Sequence, residues 1–235
     1  MIAKITAILD WARSILKRDP DRFLRKVSGV IHVGANTGQE RDLYNQNGLR
    51  VIWVEPIPEV FEELKANLKG FPQQRALQYL VSDQDDAVYQ FHIANNNGES
   101  SSILDLKLHK DIWPDITYER TLTLRSRTLA SLLAEEHINP CEYDALIMDT
   151  QGSELLVLKG AVSLLQNFKY IKTEVPDFES YVGCCQLADI ASFLTRYGYR
   201  ECSRHKFAER AGGGSYYDVV YERIARRRRA ADTQP

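Results

Sequence analysis

Short apolar runs alternate with amphipathic stretches along most of this 235-residue chain, and this alternation limits the fold more than any other feature. The runs cover residues 30–33, 51–54, 77–81, 145–148 and 170–175. Strands separated by helices predict a doubly wound α/β domain whose strands pair in parallel through right-handed crossovers. Helices are predicted at 39–47 and 58–69, each followed by a capping glycine, and at 153–167, where nearly every side is apolar.

Residues 87–128 interrupt this pattern. Apolar and polar side chains alternate on both sides of a polar loop at 95–102, which predicts an antiparallel insertion. Near the end of the chain we predict a helix at 187–197 and two strands, at 199–205 and 216–224, around a glycine-rich turn. This strand pair is expected to complete the sheet with antiparallel pairing.

The length suits one domain with additions at both ends, and we assign the domain to residues 28–224. Residues 1–27 read as an amphipathic helical segment with a basic polar face. We favour its packing on the domain, or on a second subunit of a homodimer, over contact with a membrane surface. Residues 225–235 are basic, and a solvated, disordered tail is favoured over a nucleic-acid-binding arm.

Composition narrows the location and the partners. Thirty Lys and Arg against 32 Asp and Glu give a net charge of −2, so no overall basic field attracts nucleic acid. No apolar run approaches the roughly 18 residues that span a bilayer. The N-terminus lacks a secretory cleavage pattern, so we expect a cytoplasmic protein.

The four cysteines lack the spacing of a zinc site or a disulfide scaffold. We expect free thiols, mostly packed inside the protein. A redox-active pair at Cys184 and Cys185 is the less favoured alternative, because adjacency alone does not lower the pKa of a thiol.

Ligands of open parallel sheets bind beyond the carboxyl ends of the strands, so the residues that follow each apolar run are candidate site residues. A tight turn with Gly34, Asn36 and Gly38 follows the first run, and Thr37 with Glu40 has the spacing of a helix capping box. The turn is not the G-x-G-x-x-G fingerprint, which argues against NAD and FAD. Glu55 follows the second run, where a carboxylate accepts both hydroxyls of a ribose; the alternative is a surface acid.

Polar residues also follow the later runs. Ser82 and Asp83 end the third run, in a position suited to polar contact with a base. Asp149 ends the fourth run, where it is either hydrogen-bonded structurally or faces a polar site, and we favour the site. Glu174 lies within the fifth run, and an ion pair with Lys172 is as well supported as a role in a site.

Four segments, in this order, resemble the successive motifs of the FkbM-type methyltransferases. They are VIHVGANTG at 30–38, WVEPIP at 53–58 with the helix at 61–67, the Ser-rich stretch at 100–104, and IMDTQGSE at 147–154 with VLKGA at 157–161. The resemblance covers residues 28–222. It implies the class I methyltransferase fold, a Rossmann-like sheet of seven strands, mostly parallel with one reversed strand near the end, and it implies S-adenosylmethionine as cofactor.

Carried over by position, the resemblance implies that Gly34, Asn36 and Gly38 surround the methionine part of the cofactor and that Glu55 holds the ribose. It also places Ser82 and Asp83 beside adenine and Asp149 near the transferred methyl group. His32 departs from the family, which usually has an acid at this position near the cofactor's ammonium group. This puts that contact in doubt, and a histidine on an apolar strand is more often simply packed than catalytic.

The resemblance implies an oxygen acceptor, so the expected activity is O-methylation of a hydroxyl on a glycan, another small molecule or a natural product. The candidate general bases, in order of preference, are Asp149, His32 and Glu174, while His109 and His205 are expected at the surface. Metal assistance through Asp149 and Glu174 is disfavoured, because two acids are too few ligands. The 95–102 loop and the 105–120 segment are expected to shape the acceptor side, with Trp113 either stacking on a sugar or anchoring the segment.

Three other functions are retained at this point. An NAD-dependent nucleotide-sugar oxidoreductase is disfavoured by the missing third glycine. A cofactor-binding scaffold without turnover is retained because of His32. Methylation of RNA is disfavoured by the balanced charge and by the lack of a stripe in which basic and aromatic residues interleave.

Overall fold

The structure is a computed structural model that describes residues 20–224. The helix predicted before residue 20 and the basic tail after residue 224 therefore lie outside the described residues. Of the N-terminal segment, the structure describes a short 3-10 helix, Arg22–Lys26, that buries Phe23 and Leu24 against the domain.

Seven strands form the central sheet, in the order β3-β2-β1-β7-β8-β10-β9. Neighbours pair in parallel from β3 to β8, whereas β10 runs antiparallel to both β8 and β9. The predicted sheet, with one reversed strand near its end, is therefore confirmed. The strands are β1 (Gly29–Val33), β2 (Arg50–Val54), β3 (Gln74–Leu77), β7 (Ala145–Met148), β8 (Tyr170–Pro176), β9 (Tyr199–Glu209) and β10 (Ser215–Arg223).

Helices cover both faces of this sheet because successive strand residues point to opposite sides. Ile31 and Leu146 belong to the core on one face, and Val30 and Ala145 to the core on the other. None of the helices described within residues 20–224 is long and apolar enough to cross a membrane. The helices are α1 (Arg41–Gln46), α2 (Pro58–Asn67), α3 (Leu129–Glu135), α4 (Glu154–Gly160) and α5 (Leu187–Arg196).

The insertion is a second, three-stranded sheet. It contains β4 (Leu80–Val81), β5 (Val88–Ala94) and β6 (Tyr118–Arg127), with β5 and β6 antiparallel as predicted. The single strand predicted at 77–81 is wrong, because β3 ends at Leu77 and the next apolar residues pair with β6 instead of β2. Within one continuous apolar run, the chain therefore passes from the central sheet to the second sheet.

The helix predicted at 153–167 is also divided. α4 ends at Gly160, and a 3-10 helix follows at Val162–Asn167. A Cβ atom on Gly160 would lie 2.2 Å from the backbone oxygen of Ser82. The chain can make this close approach only with glycine, so packing against the end of β4 accompanies the change in helix type.

All four cysteines are free thiols, as predicted, but only Cys184 and Cys185 are buried, whereas Cys141 and Cys202 are exposed. The thiol of Cys185 donates to the carboxylate of Glu154 at 3.3 Å. Burial, followed by the neighbouring Glu154 charge, raises the pKa of Cys185 above its usual range. This environment is the opposite of one that activates a thiolate.

Candidate functional site

A cavity of about 440 Å³ lies at the carboxyl ends of the parallel strands, a size typical of small-molecule sites. We call the wall formed by the strand ends the strand-side wall. It includes residues 32–36, 54–57, 149–151 and 174. The opposite wall, which we call the insertion-side wall, consists of Asn96, residues 98–101, His109, Trp113 and, from the β9–β10 hairpin, Phe207.

The turn after β1 lies tightly against the end of β7. Gly34 has a φ of 82°, and a Cβ atom there would lie 1.8 Å from the backbone oxygen of Asp149. Asn36 has a φ of 42°, and its side-chain oxygen accepts the backbone N–H of Thr37 at 2.7 Å. The predicted capping box is wrong, because Glu40 is itself the N-cap of α1 and makes no side-chain capping bond.

Gly38, predicted beside the cofactor, does not border the cavity. It is buried, and a Cβ atom there would lie 2.7 Å from Cδ1 of Leu64 in α2. With a φ of 73°, Gly38 allows the turn to pass under α2. Of the three turn residues named from the sequence, the structure brings Gly34 and Asn36 to the site and leaves Gly38 in a packing position.

Glu55 is buried at the end of β2 and borders the cavity. Its two carboxylate oxygens accept the backbone N–H groups of Asn36 and Ile57, each at 2.9 Å. Burial raises the pKa of Glu55 to about 7, although these two hydrogen bonds oppose the shift. Each oxygen has a further lone pair, so this oriented carboxyl group can accept hydrogen bonds from a diol as well.

Asp149 lies at the centre of the strand-side wall. Its backbone N–H donates to Val33 at 3.0 Å, and its Oδ1 accepts the side-chain N–H of Gln151 at 2.6 Å. Burial, and next the charge of Glu154, raises the pKa of Asp149 to about 7. The carboxyl group therefore changes between acid and carboxylate near neutral pH.

Glu174 lies beside Asp149 on the neighbouring strand, because Met148 pairs with Thr173 in the parallel register. Burial, then Asp149 and Asp218, raises the pKa of Glu174 well above its usual value. The suggested ion pair with Lys172 does not form. Lys172 binds Asp21 at 2.8 Å and approaches Asp218 to 3.6 Å.

Glu154, which the sequence reasoning did not single out as a site residue, supports the turn after β7. It is buried, and its Oε1 accepts the backbone N–H groups of Thr150 at 2.9 Å and Gly152 at 3.1 Å. Gln151 and Gly152 adopt positive φ angles of 52° and 101°. The sequence did offer a signal for this role: Glu154 is an acid at the first position of a helix that follows a tight turn, and such a carboxylate binds free backbone N–H groups.

His32 is both a packed residue and a cavity residue. Its Nδ1 lies 3.0 Å from the hydroxyl of Tyr44, and its ring stacks on Trp53 with 5.0 Å between centroids. Burial lowers its pKa, so the imidazole is neutral at pH 7. His32 is also one of the residues that line the cavity.

Two other residues predicted beside the cofactor lie outside the cavity lining. Ser82 and Asp83 do not border the cavity; Ser82 is fully buried and its hydroxyl lies 2.8 Å from that of Tyr89. The residues of this segment that do border it are Tyr79, Leu80 and Val81, because the chain leaves the main sheet after β3.

His109 was expected at the surface, but it is buried in the insertion-side wall. Its ring packs on Trp113 and Tyr181, with centroids 4.7 and 5.1 Å apart, and its Nε2 lies 3.4 Å from the hydroxyl of Ser100. Burial lowers the pKa of His109 to about 4. Little in the local sequence signalled this, because the residue lies on a short 3-10 helix, Leu108–Asp111. His205, by contrast, is exposed as expected.

The charges around the cavity have one sign. Glu40, Glu55, Glu99, Asp149 and Glu174 border it, and among the described residues that do so there is no Lys or Arg. Such a wall favours a ligand with positive charge near the strand ends. Within residues 20–224, no group of three or more His, Cys, Asp or Glu side chains is arranged to hold a metal ion.

Comparisons with known proteins agree with this arrangement. A family model described as the methyltransferase FkbM domain matches residues 32–201. A comparison with curated proteins finds no significant match.

Solved structures show similarity of fold at low sequence identity. TrmK of M. capricolum, solved with S-adenosylhomocysteine, has a TM-score of 0.50 at 7% identity, and the match covers 88% of this chain and 68% of that chain. The METTL16 methyltransferase domain has a TM-score of 0.50 at 12% identity, with 87% and 65% covered. An uncharacterized protein of Listeria monocytogenes serotype 4b has a TM-score of 0.50 at 8% identity, with 89% and 68% covered.

Proposed function

Because this chain belongs to the FkbM methyltransferase family and is an S-adenosylmethionine-dependent methyltransferase, we propose that it methylates a hydroxyl group of a sugar, glycan or related natural product. The observation that carries the proposal is the carboxyl group of Asp149. It borders the cavity and has a pKa of about 7, which suits the removal of a proton from an alcohol near neutral pH. The family membership sets aside the NAD-dependent oxidoreductase.

The strand-side wall fits the cofactor chemically. S-adenosylmethionine supplies a methyl group on a positively charged sulfur, and it also carries an ammonium group and a ribose diol. The acidic wall matches the two positive charges, and Glu55 presents a fixed carboxyl group for the diol. We assign the methionine part to the turn at Gly34 and Asn36, and the adenine side to residues 79–81 in place of Ser82 and Asp83.

Asp149 is held in one orientation. Gln151 donates to its Oδ1, and among the contacts of the described residues Oδ2 has no hydrogen-bond partner, so Oδ2 is the atom that takes the acceptor's proton. The charge of Asp149 opposes the ionisation of Glu174. Because burial keeps Glu174 protonated over a wider pH range, Asp149 is the first of the two to ionise.

His32 contributes as a neutral ring in this proposal. Tyr44 engages its Nδ1, and Trp53 covers one face, so its position is fixed by the core. A neutral imidazole can accept or donate one hydrogen bond but cannot replace the negative charge of the acid that is usual in the family. We assign the charge opposite the cofactor's ammonium group to the carboxylates of the wall.

The location and the assembly are also part of the proposal. Four unpaired thiols suit the reducing interior of a cell, which supports a cytoplasmic enzyme. A homodimer through the N-terminal segment stays a prediction, to be measured by light scattering of the full chain.

The test of the function uses S-adenosylmethionine with an isotopically labelled methyl group. The full chain is incubated with a glycan and small-molecule extract and, in parallel, with total RNA, and the labelled products are identified by mass spectrometry. We expect label in alkali-stable O-methyl ethers of the first extract. Label that appears only in RNA, in N-methyl groups or in alkali-labile esters would overturn the oxygen acceptor.

A further inference from the structure

The insertion-side wall presents no cationic side chain to the cavity. It belongs to the cavity in which the described lining residues include no Lys or Arg. The two histidines of the lining, His32 and His109, are neutral at pH 7 because burial lowers the pKa of each. A phosphate, sulfate or carboxylate on the acceptor would therefore enter a space that holds only negative or neutral groups.

Two arginines, one of the insertion and one of the hairpin, are engaged by carboxylates outside the lining. Arg210, at the hairpin turn, donates to Asp111 of the insertion at 3.0 Å and stacks on Phe178. Arg120 binds Glu59 at 2.8 Å. These pairs hold the insertion and the hairpin in place and leave their charges neutralised.

Flat aromatic surfaces take the place of charge. Trp113 is partly exposed to the cavity, and Phe207 is 41% exposed on the hairpin above it. Tyr216 lies under both rings, with centroids 5.3 Å from Trp113 and 5.8 Å from Phe207. Such rings bind the apolar C–H face of a sugar ring without demanding charge.

An unpartnered polar atom lies in the same wall. His109 is 2% exposed, and its Nδ1 has no hydrogen-bond partner. This atom has almost no accessible surface, so it makes no hydrogen bond to the acceptor, and His109 adds only a neutral residue to the lining.

We propose that the acceptor places an uncharged, polyhydroxylated ring against Trp113, Phe207 and His109, and that sugars with a phosphate, sulfate or carboxylate next to the methylated hydroxyl are excluded. This inference rests on the proposed function and names its substrate class by charge. It identifies the acceptor as a neutral glycosyl unit. Anionic sugars and the phosphodiester backbone of RNA do not bind against this wall.

Saturation-transfer NMR on the full chain loaded with S-adenosylhomocysteine tests the proposal. The probes are methyl α-glucopyranoside, glucuronate and glucose 6-phosphate at pH 8, where groups with a pKa of about 7 are ionised. We expect transfer to the neutral glucoside and at least tenfold weaker apparent affinity for the two anions. Trp113→Leu should abolish the transfer, and Tyr197→Leu, an exposed aromatic residue outside the lining, should not.

Each outcome of this experiment either supports or overturns the inference. Comparable binding of an anionic probe that Trp113→Leu removes would overturn the inference, as would an absence of transfer from all three probes. The loading step is a separate control. If calorimetry shows that S-adenosylhomocysteine does not bind, the assigned cofactor site fails before the acceptor wall is tested.

Discussion

The two walls of the cavity differ in how they are built. The strand-side wall comes from the ends of adjacent parallel strands and carries the carboxylates Glu55, Asp149 and Glu174. The insertion-side wall combines Trp113 and Phe207, which are 94 positions apart, and apart from the exposed Glu99 it carries aromatic and neutral groups. Most carboxylates of the cavity therefore come from the sheet itself, whereas the proposed acceptor contacts come from segments added to the sheet.

Gln151 joins the two walls. Its side chain donates to Asp149 and accepts from the hydroxyl of Tyr181, each at 2.6 Å, and its backbone oxygen accepts from Ser102 of the insertion at 2.8 Å. The hydroxyl of Tyr181 also reaches the backbone oxygen of Ser100 at 3.3 Å. The orientation of the proposed base is therefore tied to the wall that selects the acceptor.

The largest effect is expected where the walls meet. Asp149→Asn keeps the shape of the side chain but removes the proton acceptor, so we expect kcat to fall by about 10²- to 10⁴-fold. The affinity for S-adenosylmethionine should fall by less than about tenfold, because other carboxylates share the wall. Rates are measured by S-adenosylhomocysteine release and affinities by calorimetry.

Asp83→Asn is the matched control, since this carboxylate lies outside the cavity lining. Its turnover should stay within about twofold of that of the unsubstituted protein. An equal loss in both variants, or normal turnover in Asp149→Asn, would remove Asp149 from the role of base.

A smaller effect, confined to the cofactor, is expected at Glu55. Glu55→Gln leaves one oxygen to accept a backbone N–H and places an NH₂ group against the other N–H, at Asn36 or Ile57. We expect S-adenosylmethionine to bind at least about tenfold more weakly and the fold to lose about 1–3 kcal/mol of stability. Calorimetry and thermal unfolding measure the two effects.

Glu99→Gln provides the comparison, because Glu99 is an exposed carboxylate of the insertion-side wall. Its affinity for the cofactor should change by no more than about twofold. If a folded Glu55→Gln protein bound the cofactor normally, Glu55 would have no part in holding the ribose.

The smallest effect concerns pH and the link between the walls. The hydrogen bond from Gln151 lowers the pKa of Asp149, against the larger effect of burial. Tyr181→Phe frees Gln151 to turn away, so the pKa of Asp149 should rise. Because the base acts when ionised, kcat of the unsubstituted protein should rise with pH through about 7. In Tyr181→Phe this rising limb of the pH profile should move to higher pH by roughly half a unit.

The pH profile of kcat separates this positioning role from simple loss of structure. Phe193→Leu, a core substitution in α5 away from the cavity, should lower stability without moving the limb. An unshifted profile in Tyr181→Phe would show that Gln151 holds Asp149 without Tyr181.

The sequence correctly placed at one cavity those predicted residues whose positions follow directly from strand order. Glu55 and Asp149 end neighbouring apolar runs, and parallel pairing alone brings such positions to one edge. Ser82 was misplaced because the apolar run at 77–81 gave no sign that β4 pairs with β6. Gly38 was misplaced because a positive φ serves a turn and a cofactor contact equally well.

His109 shows the opposite limit. Little in its neighbourhood distinguishes it from a surface histidine; besides Trp113, four positions later, Tyr181 and Tyr216 pack on it from distant parts of the chain. The packing that lowers its pKa is long-range. Hydrophobic periodicity reflects only local order, so it cannot predict packing between distant residues.

By itself, the sequence determined the parallel α/β sheet, the reversed strand near its end and the carboxylates along its edge. These features follow from hydrophobic periodicity and from the order of strands and helices along the chain, which can be read from short stretches of sequence. Only the tertiary structure decided which acids share a cavity, how far burial raises their pKa values, and which aromatic rings face them. Those properties depend on contacts between distant residues, and desolvation acts only once these contacts have formed.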